Sequence, residues 1–244
     1  MSKKFRQLYF DIETTPILGY SFGTYQVNIL DVKQDTGLLC FAYQFDDEKI
    51  QVFSRRNYTE KQLAKRLWKL FNESDVIIGH NGDRFDIKMS NMFFLRHNLS
   101  PPSPYKSVDT LKIARRYFKF TQNKLDYLGK ILFNERKQST GLQLWFDCMA
   151  GDKAALKQME DYNVQDVVLL KKLHLKIAPW HTGSPNRNLY DGTTHQCPFC
   201  GSDTQRRGLY PTTVRLYQRY RCKNHSCNKW SKGEITKTNK VIVK

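Results

Sequence analysis

"LYFDIETTP", residues 8–16, sets two acids one residue apart at the end of an apolar run. A β-strand alternates its side chains, so Asp11 and Glu13 share one face while Phe10 and Ile12 take the other. Two carboxylates on one face repel each other unless a cation lies between them. Hard divalent ions such as Mg²⁺ and Mn²⁺ prefer oxygen ligands, so a metal site would account for the pair. A strand end running into a solvated turn closed by Pro16 would also account for it, and the rest of the chain has to separate the two.

Outward from this strand, "LLCFAYQF" and "KIQVFS" flank "DDE" and read as a hairpin. The stretch between the first strand and this hairpin reads as a loop. "TEKQLAKRLWKLFNES" places Leu63, Leu67, Leu70 and Phe71 at helical spacing behind Thr59 as N-cap. "DVIIGHN" is a buried-type strand ending in a Gly-His-Asn-Gly turn, with a helix from about Phe85 to His97. "KSVD" reads as a short strand, and "TLKIARRYF" as a helix with Asp109 as its N-cap. "KLDYLGKILF" is a further helix, in which Asp126 suits the N-terminal turn. The longest helical stretch is "GDKAALKQMEDYNVQDVVLLKKLHLKI", with Pro179 after it. Three strands followed by strands alternating with helices predict an α/β fold, a mixed sheet covered by helices.

Length and charge bound the partners. The 244 residues accommodate a medium domain plus a small appendage, and no apolar stretch is long enough for a membrane span. Residues 1–180 carry 28 Lys/Arg against 20 Asp/Glu, whereas residues 181–244 carry 12 against 3. A basic tail of that density points to a polyanion, with nucleic acid the expected partner. The opening "MSKKFRQLYF" has no apolar signal region, so the cytoplasm is the expected location. "HTGSPNRNLYDG" reads as a linker, giving a core over 1–180, a linker over 181–194 and a tail domain over 195–244.

If Asp11 and Glu13 hold metal, further acids belong at the ends of other elements. Asp86 and Asp83 both follow the Gly-His-Asn-Gly turn, and position alone does not choose between them. His80 in that turn suits packing or a turn contact. Tyr162 and Asp166 lie four apart in the last long helix, on one face, with Val164, Val167, Val168 and Leu169 as apolar neighbours.

"DIET", then "NGDRFD", then "YNVQD", in that order over about 160 residues, resembles the DEDD superfamily of 3′→5′ exonucleases. Tyr162 places the resemblance in the tyrosine subclass, the one shared with proofreading domains of DNA polymerases. The resemblance covers residues 5 to 178 and implies an RNase H-like fold. Its second motif favours Asp86 over Asp83, since Asn81 precedes "FD". It implies that Asp11 bridges two Mg²⁺ or Mn²⁺ ions and that Glu13 and Asp166 hold the ion that activates water. Asp86 then serves the ion on the leaving-group side, and Tyr162 orients the attacking water. An unperturbed phenol, with a pKa of about 10, suits orienting water better than taking its proton. Thr14 and Asn81 become candidate substrate contacts. The implied reaction is metal-dependent hydrolysis from a 3′ end, with DNA ahead of RNA. The alternatives are a nucleic-acid-binding protein with an inactive nuclease fold and a structure-specific endonuclease on the same metal site.

In the tail, "CPFC" and "CKNHSC" pair Cys197 with Cys200 and Cys222 with Cys227. Two knuckles around a stretch with strand alternation predict a zinc ribbon holding one structural Zn²⁺. His225 stands as an alternative to Cys222 or Cys227 as ligand. Cys40 and Cys148, alone in apolar surroundings, read as buried thiols. Interleaved Arg215, Tyr217 and Arg219 suit phosphates and stacked bases, so the ribbon is expected to assist substrate binding, with a protein partner as the other option. A DEDD-like core followed by a four-cysteine ribbon is similar to exonucleases found in bacteriophage genomes, which would place the chain in the host cytoplasm.

Overall fold

A computed structural model describes residues 5–25, 28–135, 140–191, 195–213 and 215–235. Residues 192–194 of the expected linker and 236–244 of the expected ribbon lie outside the described residues. The chain divides into two compact units, one of Arg6–Leu173 and the other of the described residues from His174 onward with Phe5.

The larger unit is built on the strand that carries the paired acids, β1 (Gln7–Thr14). A short hairpin follows, β2 (Leu18–Tyr20) and β3 (Asp31–Gln34), and then β4 (Leu38–Phe45) and β5 (Gln51–Ser54). The chain continues through α1 (Glu60–Glu73), β6 (Val76–Gly79), α2 (Asp86–Arg96), β7 (Lys106–Asp109) and α3 (Thr110–Tyr117). Three helices complete it: α4 (Leu125–Phe133), α5 (Leu142–Met149) and α6 (Lys153–Ile177), whose last turn passes into the smaller unit. The main sheet has the order β5-β4-β1-β6-β7. β1 pairs antiparallel with β4 and parallel with β6, so the acid-bearing strand is central and the sheet is mixed.

Alternation along β1 gives the two faces different company. Leu8, Phe10 and Ile12 enter a cluster with Phe41, Leu63, Leu67, Phe71 and Phe93, which docks α1 and α2. The opposite face, with Asp11 and Glu13, meets α6. Beside it Leu39 and Cys40 of β4 pack with Leu144 and Cys148 of α5 and Leu156 and Met159 of α6. Thr59 caps α1 in a reciprocal box with Gln62, and Asp109 caps α3 by accepting from the N–H groups of Leu111 and Lys112, both as the sequence predicts.

Two elements of the larger unit depart from the expectations. The β2–β3 hairpin occupies the stretch read as a loop. Its strands are too short to show alternation, and a Cβ at Gly19 would come within 2.5 Å of Ile29 and 2.7 Å of the Asp31 carbonyl. Helix α5 also goes unforeseen, because Gly141 at its N-cap brings no side-chain signal.

The smaller unit continues from the end of α6 through a 3₁₀ turn (Ala178–Trp180) and α7 (Asn188–Asp191) to three antiparallel strands. These are β8 (Thr204–Pro211), β9 (Leu216–Cys222) and β10 (Trp230–Ile235), in the order β10-β9-β8. No helix among the described residues is long and apolar enough to cross a membrane.

Phe71 is fully buried and meets Phe10, Phe94 and Tyr105 edge-on at 5.0, 5.4 and 5.6 Å between ring centroids. Phe71→Ala removes the ring that α1 shares with β1 and α2. It is expected to cost about 3–5 kcal/mol of stability, read from urea denaturation.

Candidate functional site

The site begins at the C-terminal half of β1. Asp11, Glu13 and Asp166 each place a carboxylate oxygen within 4.8 Å of the others. Strand alternation supplies the first two, and α6, packed across that face, supplies the third. The helix is held there by polar bonds as well as by its apolar side. Glu160 is buried, accepts from Ser54 at 2.6 Å and pairs with Arg56 at 2.8 Å, tying the helix to β5. Asn163, fully buried one turn before Asp166, donates through Nδ2 to Asp11 Oδ2 at 2.7 Å.

Asp86 reaches the same strand from the other side of the chain path. It is buried at the N-terminus of α2, and its Oδ1 accepts from the Ile12 N–H at 3.3 Å. The turn that aims it is tight. Gly79 and Gly82 approach so closely that a Cβ on either would lie 3.1–3.2 Å from the other's Cα, and Asn81 between them has φ +68°. Burial pushes the Asp86 carboxyl up to about 7; the Ile12 N–H draws it back, while Asp109 and Asp166 raise it further. Asp86 itself is not one of the three acids whose carboxylate oxygens lie within 4.8 Å of one another, and Asp83, its rival in the sequence, pairs with Lys112 at 2.6 Å and accepts from Ser107.

The remaining predicted residues distribute as follows. Tyr162 projects from α6 on the Asp166 side and meets Trp145 edge-on at 6.4 Å. Thr14 ends β1 beside a register shift against β4. Asn81 lines a cavity of about 720 Å³ with Arg84, Arg115 and Lys124. His80 is a tether: its Nε2 donates to the Asn123 carbonyl at 2.8 Å, and its Nδ1 lies 2.9 Å from the Thr110 hydroxyl. Asp126 sits exposed in the first turn of α4. Cys40 lies opposite Glu13, and burial, with Glu13 and Asp11 adding to it, holds its thiol well above the usual range, so it stays neutral beside the acids. Asn163 is the residue that sequence reading passes over. Its signal was available, since a residue three before Asp166 shares its helix face.

An all-oxygen cluster fits a hard divalent cation. Asp86 is consistent with that fit: burial above all, with Asp109 and Asp166 adding to it, drives its carboxyl toward the neutral form, a cost that a bound cation would offset.

In the smaller unit, Cys197, Cys200, Cys222 and Cys227 place their sulfurs within 4.8 Å of one another, with Cys197–Cys227 at 3.9 Å and Cys200–Cys222 at 3.5 Å. Tetrahedral zinc with bonds of about 2.3 Å sets sulfurs about 3.8 Å apart, so the four fit it. Four clustered thiols do not ionise together on their own. The Cys200 thiol is pulled down by hydrogen bonds from Cys197 and Cys227, whereas burial pushes Cys222 up to about 12. His225 is exposed and outside the cluster. Arg215 lies in the turn before β9, bonded through its backbone to Thr212, while Tyr217 and Arg219 share one face of β9.

Comparison with known proteins agrees with this architecture. The model of the RNase H superfamily matches residues 8–178. Among solved structures of similar fold is the family B DNA polymerase from the hyperthermophilic archaeon Pyrobaculum calidifontis. It shares 17% identity at a TM-score of 0.57, over 72% of this chain and 25% of the polymerase chain. The present chain thus corresponds to about a quarter of that protein's length. No curated protein sequence matches.

The Asp86 shift has a pH consequence. Its folded value of about 7 lies above the ordinary 3.8, so the folded state binds the proton more tightly and metal-free stability falls as pH rises from about 4 to 7. Asp86→Asn keeps an acceptor for Ile12 and carries no charge. Melting curves of metal-free protein are expected to show a smaller decline over that window in the variant, and a higher melting temperature than wild type at pH 8.

Proposed function

This chain belongs to the RNase H superfamily, and on that premise we propose that it is a divalent-metal-dependent 3′→5′ exonuclease that hydrolyses phosphodiester bonds. The observation that carries the reading is the meeting of Asp11 and Glu13 with Asp166, more than 150 residues further along the sequence, within 4.8 Å on one sheet face. Membership of the superfamily supports nuclease chemistry on a nucleic acid. The direction of attack rests on the resemblance of the three acidic motifs to the DEDD exonucleases. DNA is the first substrate in line, since a solved protein of similar fold is a DNA polymerase, and RNA is the second.

The proposed roles are those that the resemblance to the DEDD exonucleases implies. Asp11, Glu13 and Asp166 would hold one ion, with Asp11 shared by a second ion that Asp86 helps to retain. A pair of Mg²⁺ or Mn²⁺ ions supplies a nucleophile from water at neutral pH and neutralises charge on the departing oxygen. Asn163 holds the Asp11 carboxylate in one orientation through its 2.7 Å bond. Tyr162, one turn before Asp166, orients the attacking water. Thr14 and Asn81 contact the substrate near the scissile phosphate. In this division of labour the core, 1–180, performs the reaction. Across the linker at 181–194, the ribbon of 195–244, closed by one structural Zn²⁺ on its four cysteines, helps to hold the substrate.

The decisive experiment follows product length with time on 5′-labelled single-stranded DNA and RNA of one sequence, with Mg²⁺, Mn²⁺ or no added metal. A metal-dependent ladder shortening from the 3′ end is expected, and Asp11→Ala should slow it by at least about a hundredfold, the scale lost when a group stabilising transition-state charge is removed. Full-length substrate in every wild-type lane would overturn the reading. Cleavage of a circular single strand would replace exonuclease with endonuclease.

The zinc assignment carries its own expectation. Metal analysis of the purified chain should find zinc, and Cys197→Ser or Cys222→Ser should lose it. A strong chelator should lower the melting temperature of the wild-type chain far more than that of either variant.

A further inference from the structure

The three-stranded sheet of the smaller unit has two unlike faces. Register pairs Trp230 with Arg221, Lys232 with Arg219, and Tyr210 with Tyr217. Side chains alternate along a strand, so all six lie on one face, aromatic and cationic groups interleaved across three strands. The contacts agree: Arg219 and Arg221 lie 4.7 and 5.5 Å from the Trp230 ring centroid, and Lys232 lies 4.8 Å from that of Tyr217. Among the described residues, no acid forms an ion pair with these three cations.

This face opens on a cavity of about 570 Å³, which Tyr210, Arg219, Trp230 and Lys232 line together with Pro179 and Asn186. The far wall is held by Lys229, which is itself buried. Its Nζ donates to the carbonyls of Ala178, Pro179 and His181 at 3.0, 3.4 and 2.6 Å. Lys229 is therefore committed to structure, whereas Arg219 and Arg221 are oriented by single Nε bonds, to the Arg207 carbonyl at 2.9 Å and Asn228 Oδ1 at 2.7 Å, and with Lys232 they carry charge that no described acid pairs with. Trp230 remains 47% exposed, and Tyr210 46%, in a unit whose own core is small. Exposed rings set between unpaired cations match a ligand that alternates flat apolar surfaces with negative charge.

We propose that this face and its cavity bind single-stranded nucleic acid, with unpaired bases stacked on Trp230, Tyr210 and Tyr217 and phosphates on Arg219, Arg221 and Lys232. A duplex hides its base faces in the stack and offers only phosphates, so the aromatic half of the face would go unused. Stacking tolerates any base, because every base has a π-face, and the site therefore selects strandedness over sequence. The inference rests on the nuclease reading above for its substrate class, and it narrows that class to strands with unpaired bases.

The test uses the full-length, zinc-loaded chain carrying Asp11→Ala, so that binding is measured without cleavage. Fluorescence anisotropy compares a labelled 20-mer of deoxythymidine, the uridine 20-mer and a blunt 20-base-pair DNA duplex. The single strands are expected to bind tighter than the duplex. Trp230→Ala is expected to weaken single-strand binding about tenfold, the scale of one lost base stack, and Trp230→Phe to restore most of it. Lys232→Ala should weaken binding to all three probes and reduce its salt dependence. The two 20-mers distinguish DNA from RNA. Zinc content, equal across the variants, guards against mere unfolding, and photocrosslinking of an iodouracil-containing strand should place the adduct on Trp230 or Tyr217. Unchanged single-strand affinity in zinc-loaded Trp230→Ala, or an equally tight and equally Trp230-dependent duplex, overturns the proposal. So does the absence of binding to any probe, which would leave the face to a protein partner. Trp230-dependent binding by a wild-type chain that hydrolyses nothing would sink the nuclease reading and leave this one standing.

Discussion

Carboxylates from Asp11, Glu13 and Asp166 lie within 4.8 Å of each other, an arrangement that repels itself and has to be held by everything around it. The holding comes from two directions. β1 is central in the sheet, fixed by β4 on one side and β6 on the other, so its acids do not move apart. α6 is pinned by the Glu160 contacts to Ser54 and Arg56 and by the bond from Asn163 to Asp11. Burial then raises the electrostatic stakes, as the upward shift of Asp86 shows. A divalent cation would offset that repulsion, and nucleases of the RNase H-like superfamily use such ions.

The smaller unit obeys the same logic with a softer ligand set. The cluster that its strands share consists of Cys197, Cys222 and Cys227 with Phe199 and Cys200 packed against them, so there is little hydrophobic driving force to hold three strands together. Sulfur-to-sulfur spacings of 3.5 and 3.9 Å suit a tetrahedral ion, and the metal would supply the folding energy that the core lacks. With the four cysteines gathered on the inside of this unit, aromatic side chains stand on its surface. Tyr210 and Trp230 do so, between arginines and a lysine.

Local chemistry was legible residue by residue. Thr59 and Asp109 announced their helices because a capping side chain bonds within three residues of itself. The cysteine pairs, three and five residues apart, marked the two halves of a cluster that the structure brings together. Asp11 and Glu13 shared a face because strand periodicity needs no partner to define it. Two features were missed for the same reason in reverse: the β2–β3 hairpin has too few residues per strand to show a period, and α5 begins at a glycine that gives no cap.

Long-range pairing is of another kind. That Asp86 turns to the Ile12 N–H while Asp83 turns to Lys112 depends on how the turn between β6 and α2 packs, and both acids look alike in the linear chain. That Asn163 braces Asp11 depends on where α6 comes to rest on the sheet. The gathering of Tyr217, Arg219 and Arg221 with Trp230 and Lys232 depends on strand register across a turn that the pattern of any one strand leaves open. Periodicity and caps are written in neighbours a few residues apart, so the amino-acid order carries them outright. Which distant side chains meet is settled by the packing of whole helices and strands, and a one-residue slip of a strand would send its groups to the opposite face.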